Sequence, residues 1–493
     1  MNTKSIRYIL GWILNIEALL MLLPVATAVF YREEEGIAYA LVVAVCAAVG
    51  ALLTYKKPKN PGFYAKEGFV CTALGWILMS VFGCLPFMLT DEIPSFVDAL
   101  FEMVSGFTTT GASVVVNVEA LSRCTNMWRC FSHWIGGMGI LVFLLAVLPL
   151  VGGSNMQLMK AESPGPSVGK LVPKVRFTAR ILYVLYVALT LLQVLVMLMG
   201  GMTLNEALCT SFGTAGTGGF GIYGDSIASF SPFLQWAITV FMIAFGVNFN
   251  VYFLLYMRRP KDALHCEEMH WYLGIIAAAA LLICANAYDV TLTLENNLRQ
   301  SFFQVASIIT TTGFATTDFN LWPGFSRSIL VLLMFIGACA GSTGGGLKVS
   351  RIVIGFKSVL TYLGAFLHPR AVRKVKFEDK DVDAETMHAI CVYFIAAIGL
   401  FVISVLLVAL DGFDLVTTFS AVAATFNNIG PGLGVAGPTS NFAAFSDFSK
   451  VVMTMDMLLG RLEVFPMLML FYPPLWKESI GEARIRRNRT ALH

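Results

Sequence analysis

The chain has 493 residues, of which 57% are apolar and only 13% are charged, and its mean hydropathy is +0.73. These are too few polar residues to cover the surface of a soluble protein of this length, so the composition excludes a soluble enzyme, a disordered protein and a nucleic-acid binder. The formal charge of +3 gives no sign of a polyanionic partner. The composition instead predicts an integral protein of the lipid bilayer with many spans.

Apolar segments long enough to cross a bilayer as helices recur along the whole chain. We predict spans at 8–30, 36–55, 69–90, 127–152, 178–200, 232–256, 271–289, 328–365, 387–410 and 450–473. The stretch 328–365 is too long for one continuous helix, and a glycine cluster interrupts it. An even number of spans places both termini on the same side of the membrane.

The predicted spans group into a leading pair and four similar units. We assign a two-span hairpin to 1–60 and a basic tail to 474–493. The four pore repeats are expected at 69–152, 178–256, 271–365 (with a broken second helix) and 387–473.

Basic residues lie mostly on one side of this topology. The termini and the loops 56–68, 153–177, 257–270 and 366–386, with span-edge residues included, hold 27 of the 34 Lys and Arg. Because basic loops stay inside, we expect both termini to be cytoplasmic.

Each repeat contains an outer segment that is too short to span the membrane, and these four segments resemble one another. They read ALFEMVSGFTTTGAS from Ala99, ALCTSFGTAGTGGFG from Ala207, SFFQVASIITTTGFA from Ser301 and TFSAVAATFNNIGPG from Thr418. In each, a bulky residue (Leu100, Leu208, Phe302 and Phe419) precedes a glycine by eleven positions. Such recurrence indicates a repeat architecture, and each unit is predicted as helix, re-entrant half-helix, extended strand and helix.

The residues at the end of these segments suit a path for a monovalent cation. Small and hydroxyl side chains let four backbones approach, and glycine with positive φ turns successive carbonyls toward one axis. Rings of carbonyl oxygens replace the hydration shell of K⁺, and half-helix C-termini favour a cation. The candidate filter is Thr109, Thr110, Gly111, Thr217, Gly218, Gly219, Thr311, Thr312, Gly313, Asn428, Ile429 and Gly430. Ordinary small-residue helix packing is the alternative, but four copies at one offset favour the pore.

Several motifs resemble the TrkH-like branch of the Trk/Ktr/HKT superfamily over nearly the whole chain. They are SGFTTTGAS, HWIGGMGILVF from His133, GTGGFG, TTTGFATTDF, GACAGSTGGGLKVSR from Gly337, NNIGPGLG and LLGRLEVFP from Leu458. The resemblance implies potassium uptake in a bacterial inner membrane, by a homodimer with one pore in each subunit. It also implies a cytosolic ring of nucleotide-binding regulatory subunits of the TrkA type.

The resemblance also assigns residues. It places the filter glycines at Gly111, Gly219, Gly313 and Gly430. Relatives that favour sodium carry serine in the first repeat, so glycine there implies selectivity for K⁺, and we expect Rb⁺ to pass as well. It implies a gate loop made of Gly337, Gly341, Ser342, Thr343, Gly344, Gly345, Gly346 and Lys348. A close-packed kink with no moving part is the alternative for this loop.

Arg461 lies within the last apolar span. An arginine at membrane depth faces a cavity or a partner. The resemblance makes it an electrostatic barrier beneath the filter, and a structural ion pair is the alternative. Glu463 is two residues away, a spacing that does not share a helix face.

Three further features are given structural interpretations, and one possible disulfide is left undecided. His133 and Trp134 are expected to anchor at the outer interface, and Phe220 and Phe314 to pack behind the filter. The HCEEMH stretch from His265 is expected to be a solvated cytoplasmic loop. A disulfide between Cys124 and Cys130 remains open.

The leading function is a channel-like potassium uptake protein, and the alternative is a K⁺ symporter coupled to H⁺ or Na⁺. Symporters usually keep an ionisable residue at the midplane, whereas the filter sequence here is neutral, which favours electrodiffusion. We expect no enzyme activity and no organic cofactor, since the chain has no GxSxG or HExxH motif and no paired intramembrane aspartates.

Overall fold

The computed structural model describes residues 2–58, 65–137, 139, 175–287, 293–368 and 373–476. Within these residues, β structure is limited to one hairpin with strands Lys376–Phe377 and Lys380–Asp381. Seven helices are long and apolar enough to cross a membrane, and a bent pair can provide an eighth span. The structure therefore confirms the predicted all-α membrane fold. The end of span 127–152, most of loop 153–177 and the tail from 477 lie outside the described residues.

Two leading helical segments pack as a hairpin. Helix Thr3–Leu20 runs on into Leu22–Tyr31, and Gly36–Thr54 returns beside it. The backbones meet at Gly11 and Gly50, where an added methyl group would lie 2.7 Å from Leu53 Cβ and 2.4 Å from Asn15 Oδ1. Small residues thus permit the close helix contact that is common in membranes.

The four following units share one order of helices: an outer helix, a short pore helix and an inner helix. The first has Ala65–Gly83 with Leu85–Leu89, Phe96–Phe107 and Arg123–Gly137. The second has Val175–Met199, Leu204–Ala215, and Pro232–Gly246 with Phe249–Tyr256, followed by the short helix Pro260–Leu264. The third has Glu267–Asn286, Leu294–Ile309, and Gly324–Met334 with Val349–Leu367. The fourth has Ala384–Val408, Leu415–Phe426, and Asp447–Arg461 with Phe465–Leu470.

Each pore helix begins at a residue whose side chain satisfies a free backbone N–H group. Ser95, Thr203 and Thr293 accept from the backbone three residues on, and Asp414 accepts from Val416 and Thr417. Such caps typically contribute about 1 kcal/mol each. Three of the helices have 12 residues and the third has 16, which corresponds to about 18–24 Å at about 1.5 Å per residue. Each pore helix begins before the bulky residue of its segment, which is Leu100, Leu208, Phe302 or Phe419.

Three predicted spans are not continuous helices. The span 232–256 bends by 88° between Gly246 and Phe249, because Asn248 accepts from Asn250 N and starts a new helix. The predicted break in 328–365 runs from the end of one helix at Met334 to the start of the next at Val349. The last span stops at Arg461, where Glu463 and Val464 take positive φ angles of 56° and 68°.

Large apolar side chains cover the outside of the long helices. Leu41, Leu195, Ile395 and Leu406 are exposed, as expected of surfaces that face lipid. The polar residues of the four pore segments are buried instead, so the interior is the polar part of the molecule.

Candidate ion-conduction site

All four pore helices end with the same backbone geometry, a left-handed C-terminal cap. The residue two before each filter glycine has φ of 54–58°, and these residues are Thr109, Thr217, Thr311 and Asn428. The next backbone N–H donates to the carbonyl five residues earlier, at 2.9 Å for Thr110 to Ser105 and 2.8 Å for Gly218 to Gly213, Thr312 to Ser307 and Ile429 to Ala424. This is the Schellman pattern, which satisfies the last carbonyls of a helix.

The capping positions are occupied by residues that disfavour this conformation. Three of the four are threonines, whose branched side chains make positive φ costly, at about 1–3 kcal/mol each. Helix ends without such a constraint use glycine there. Repeated strain at equivalent positions therefore points to a functional requirement for the side chain at this level.

The filter glycines follow, again with positive φ. Gly111 and Gly219 have φ of 79°, Gly313 has 83° and Gly430 has 99°. In the second repeat the positive φ falls on Gly219, in register with the other three repeats, and this supports the assignment of Gly219 in preference to Gly218. Only glycine enters this region readily.

The four glycines make a closed circuit of contacts. A methyl group on Gly111 would lie 1.9 Å from the carbonyl oxygen of Gly218, and one on Gly219 would lie 2.0 Å from that of Thr312. One on Gly313 would lie 2.2 Å from the Ile429 oxygen, and one on Gly430 would lie 2.8 Å from the Thr110 oxygen. Each glycine thus abuts the carbonyl that precedes the glycine of the next repeat, and the fourth repeat returns to the first.

This circuit brings peptide oxygens from four segments, and threonine hydroxyl groups from three of them, to one narrow place. The C-terminal ends of the four pore helices converge on it, and their partial negative charge favours a cation. Oxygen ligands without a ring of carboxylates suit a monovalent ion better than a divalent one.

A hydrogen-bonded chain closes the circuit behind the filter. Asn428 Nδ2 donates to Thr110 Oγ1 at 3.0 Å, and Thr110 Oγ1 lies 2.8 Å from Thr108 Oγ1. Thr108 donates in turn to Val104 O at 2.7 Å. The third repeat has the same hydroxyl pair, Thr312 and Thr310, at 2.7 Å. In the first and third repeats, the two threonine hydroxyls are therefore hydrogen-bonded to each other behind the filter.

His133 supports the second repeat's filter segment, and its predicted place at the outer interface is wrong. Its side chain is completely buried. Nδ1 lies 2.7 Å from Gly106 O, which can only accept, so Nδ1 carries the proton. Nε2 therefore accepts from Phe220 N at 3.1 Å. Phe220 and Phe314 are both buried beside the filter.

An ion pair fixes the outer side of the first repeat. Glu102 Oε1 lies 2.8 Å from Arg129 Nε and 2.6 Å from Nη2, and both side chains are buried. Glu102 also accepts from Ser113 Oγ and Val114 N, which directly follow the filter. The pore helix, the inner helix and the exit from the filter are therefore tied together.

The predicted gate loop lies against the inner side of the filter. Gly345 N donates to Thr311 Oγ1 at 2.7 Å, and Thr343 Oγ1 donates to Phe245 O at 3.2 Å. Lys348 is buried and its Nζ donates to the carbonyls of Gly344 and Gly345. The start of the loop is closed by Gly337 N, which donates to Leu347 O at 2.5 Å.

The remaining loop residues lie on the same segment. Gly341 and Gly346 have positive φ of 71° and 64°, and Gly341 O accepts from Phe249 N at 3.0 Å. Ser342 Oγ donates to Cys339 O at 2.6 Å. The 88° bend of the second repeat's inner helix thus provides the surface on which the loop rests.

Arg461 lies at the junction of filter, gate loop and inner helix. Its Nη1 donates to Thr109 Oγ1 and to Thr343 O, both at 3.0 Å. Its Nη2 donates to the carbonyls of Gly136 and Gly137. Glu463 does not share this place, because it forms an ion pair with Arg351. The guanidinium charge is therefore held directly beneath a filter hydroxyl.

Sequence reasoning missed several buried carboxylates, among them Glu268 and Asp456. The HCEEMH stretch is not a solvated loop as a whole, since Cys266 and Glu268 are buried and Glu268 accepts from Ala340 N of the gate loop at 2.7 Å. Asp456 accepts from Ser404 Oγ at 2.6 Å, and its Oδ2 has no hydrogen-bond partner within the described residues. The carbonyl of the next residue, Met457, accepts from Asn428 Nδ2, so Asp456 belongs to a helix that contacts the filter segment. An acidic residue inside an apolar helix was the available signal.

Cys124 and Cys130 are both free thiols, so the possible disulfide between them is not formed. Both residues lie buried on the inner helix Arg123–Gly137.

Comparisons with known proteins agree with this architecture. Residues 36–285 and 271–478 match the family described as "TrkH: Cation transport protein". The chain is 37% identical to the Trk system potassium uptake protein TrkH of Salmonella typhimurium and 36% identical to that of Escherichia coli. Each alignment covers 97% of this chain and 100% of the relative.

The fold also matches a solved structure. The crystal structure of the potassium transporter TrkH from Vibrio parahaemolyticus superimposes with a TM-score of 0.87 at 33% identity. The match covers 97% of this chain and 100% of that one. The chain therefore belongs to the TrkH family of cation transport proteins.

Proposed function

We propose that the protein is a potassium-selective, channel-like uptake protein that conducts K⁺ and Rb⁺. The observation that carries this proposal is the closed circuit of the four filter segments, in which each glycine meets a carbonyl of the next repeat. Relatives of similar length are named as potassium uptake proteins, which supports K⁺ as the transported ion. The twelve filter residues bind the ion, and no chemical step is needed.

The gate loop and Arg461 control this path. Both contact hydroxyls at the inner end of the filter, Thr311 through Gly345 and Thr109 through Arg461. An ion that leaves the filter meets a positive charge and a hydrogen-bonded loop, so this arrangement is closed. A cytosolic nucleotide-binding subunit of the TrkA type moves the loop away, and the chain acts as a homodimer with one pore in each subunit.

We place the protein in the inner membrane with both termini in the cytoplasm. The excess of Lys and Arg in one set of loops supports this orientation. A green fluorescent protein fused to the C-terminus should fluoresce, whereas alkaline phosphatase fused there should stay inactive. The opposite pattern would contradict the orientation.

Reconstitution tests the main proposal. The purified protein in liposomes should carry K⁺ and Rb⁺ much faster than Na⁺ and Li⁺, and a cytosolic partner should change the rate without changing this order. Equal rates for the four ions would contradict a selective filter. Light scattering of the purified protein should give the mass of a dimer.

Asp456 favours a second candidate, a K⁺ symporter coupled to H⁺ or Na⁺. It is a buried carboxylate with one oxygen that has no hydrogen-bond partner among the described residues, and such groups occur on coupling-ion paths. Reversal potentials separate the two functions. If the potential follows the K⁺ gradient alone, the protein is a channel; if it also shifts with a H⁺ or Na⁺ gradient and Asp456→Asn abolishes the shift, it is a symporter.

A further inference from the structure

Glu268 connects the two ends of the gate loop. Its Oε1 accepts from Ala340 N at 2.7 Å and from Ser350 N at 3.1 Å, so one oxygen holds the backbone before the glycine cluster and the backbone after it. Its Oε2 accepts from Asn248 Nδ2 at 3.4 Å, at the bend of the second repeat. The side chain is only 1% exposed.

The place of Glu268 in its helix suits a buried carboxylate. It lies in the first turn of Glu267–Asn286, where the backbone N–H groups of the helix favour negative charge. The hydrogen bonds that it receives come from two backbone amides and a carboxamide, which are neutral donors. Bonds to a charged acceptor are about twice as strong as neutral ones, so this contact holds the loop more firmly than its number of bonds suggests.

The same helix end is attached to the β-hairpin. Glu378 and Asp379 form its two-residue turn, with φ of 53° and 58°, as in a type I′ turn. Glu378 Oε1 accepts from Cys266 Sγ at 3.3 Å and from Glu268 N at 3.4 Å. Glu378 N donates back to Glu267 Oε2 at 3.2 Å.

These contacts form a continuous route from the hairpin to the filter. Glu378 holds the backbone of Glu268, the Glu268 carboxylate holds both ends of the gate loop, and Gly345 within that loop donates to Thr311 Oγ1. The hairpin belongs to the loop 366–386, which we place on the cytoplasmic side. A displacement of the hairpin therefore bears on the gate loop through the first turn of Glu267–Asn286.

We propose that Glu268 is the positioning residue that keeps the gate loop seated on the filter, and that the hairpin Lys376–Asp381 is the cytoplasmic element that releases it. This inference rests on the proposed function, because it assigns the regulation of the same pore. A cytosolic partner opens the pore by moving the hairpin, which withdraws the Glu268 carboxylate from the Ala340 and Ser350 amides.

The test is partner-free K⁺ flux through the purified, full-length protein in liposomes. Glu268→Gln keeps the shape of the side chain and removes its charge, and about a tenfold rise in flux is expected from the loss of one charge-assisted hydrogen bond. Glu268→Ala should raise it further. The ratio of K⁺ to Na⁺ flux should stay at the wild-type value, because no filter residue changes. A merely structural role would lower flux and thermal stability together.

Two matched controls accompany these variants. Glu385 is an exposed glutamate in the first turn of Ala384–Val408, so Glu385→Gln should leave flux unchanged. Glu378→Ala should raise partner-free flux, whereas Asp379→Ala, in the same turn and exposed, should not. If Glu378→Ala and Asp379→Ala behave alike, the hairpin has no part in the control of the loop.

A second measurement does not depend on Glu268→Ala folding. Ser342→Cys, in a Cys391→Ser background, reports access to the gate loop by its rate of reaction with a methanethiosulfonate reagent. The rate should rise when Glu268→Gln is added. Wild-type flux and wild-type labelling in a well-folded Glu268→Gln protein overturn the inference, while a wild-type protein that carries no K⁺ even with its cytosolic partner overturns the proposed function instead.

Discussion

The carboxamide Nδ2 of Asn428 in the fourth repeat donates a hydrogen bond to Thr110 Oγ1 in the first repeat, at 3.0 Å. The two residues are separated by most of the chain, and their contact joins its last pore segment to its first. The same Nδ2 donates to Met457 O at 2.9 Å, which fixes the amide between the filter and the inner helix of its own repeat.

Replacing Asn428 by Leu should weaken both the fold and ion selection. Thr110 Oγ1 and Met457 O would each lose a buried donor, and a lost hydrogen bond typically costs about 1 kcal/mol. The thermal unfolding midpoint in detergent should fall, and the ratio of K⁺ to Na⁺ flux should fall with it. Asn117→Leu, at an exposed position, is the control. An unchanged midpoint and ratio would show that the contact is dispensable.

Gly111→Ser should relax the discrimination of K⁺ over Na⁺. The new Cβ would lie 1.9 Å from the Gly218 oxygen at a φ of 79°, so the first and second repeats must move apart. Ion competition in liposome flux assays measures the change. Gly399→Ser, in a helix where an added Cβ meets nothing within 4 Å, should behave as wild type. An ion preference that survives Gly111→Ser argues against this filter.

Arg461→Ala should increase K⁺ flux. The substitution removes a positive charge that lies directly below Thr109 and also frees Thr343 of the gate loop from one hydrogen bond. Arg461→Lys keeps the charge on a side chain with fewer donors, and it should give an intermediate rate. The measurement is single-channel or liposome flux of protein that elutes as wild type. If the folded Ala variant conducts less than wild type, the barrier role is wrong.

Glu102→Ala should be strongly destabilising. It leaves the Arg129 guanidinium buried without its partner, which typically costs about 3–5 kcal/mol. The double variant Glu102→Leu with Arg129→Leu should recover much of that loss, because it leaves no unpaired charge. Thermal unfolding in detergent compares the variants. A Glu102→Ala protein as stable as wild type would show that water reaches the pair.

The four glycines with positive φ could be predicted from the sequence because the geometry that requires them is local. A helix that ends in a left-handed cap places the following glycine at a fixed offset from its last turns, and the spacing from Leu100 to Gly111 reflects this offset. The same reasoning identified the break after Met334, because glycines cluster there.

The residues that local patterns missed act through partners that are distant in the sequence. His133 bonds to Phe220, which lies 87 positions away, and Glu268 bonds to Ala340, which lies 72 positions away. The periodicity of a helix in the sequence does not show which distant residues its side chains contact. His133 was therefore predicted as an interfacial residue and Glu268 as a solvated one. The bend at Asn248 was hidden for a related reason, because the apolar pattern continues through it.

The guanidinium of Arg461 occurs once, since a single polypeptide supplies all four sides of the conduction path. A channel assembled from four identical subunits would present any such residue in four copies, and four like charges around one narrow axis would repel one another and block conduction altogether. A single chain with four non-identical repeats is free of that restriction. Each quarter is then free to diverge, and a lone charge of one sign becomes a usable means of setting how fast ions pass.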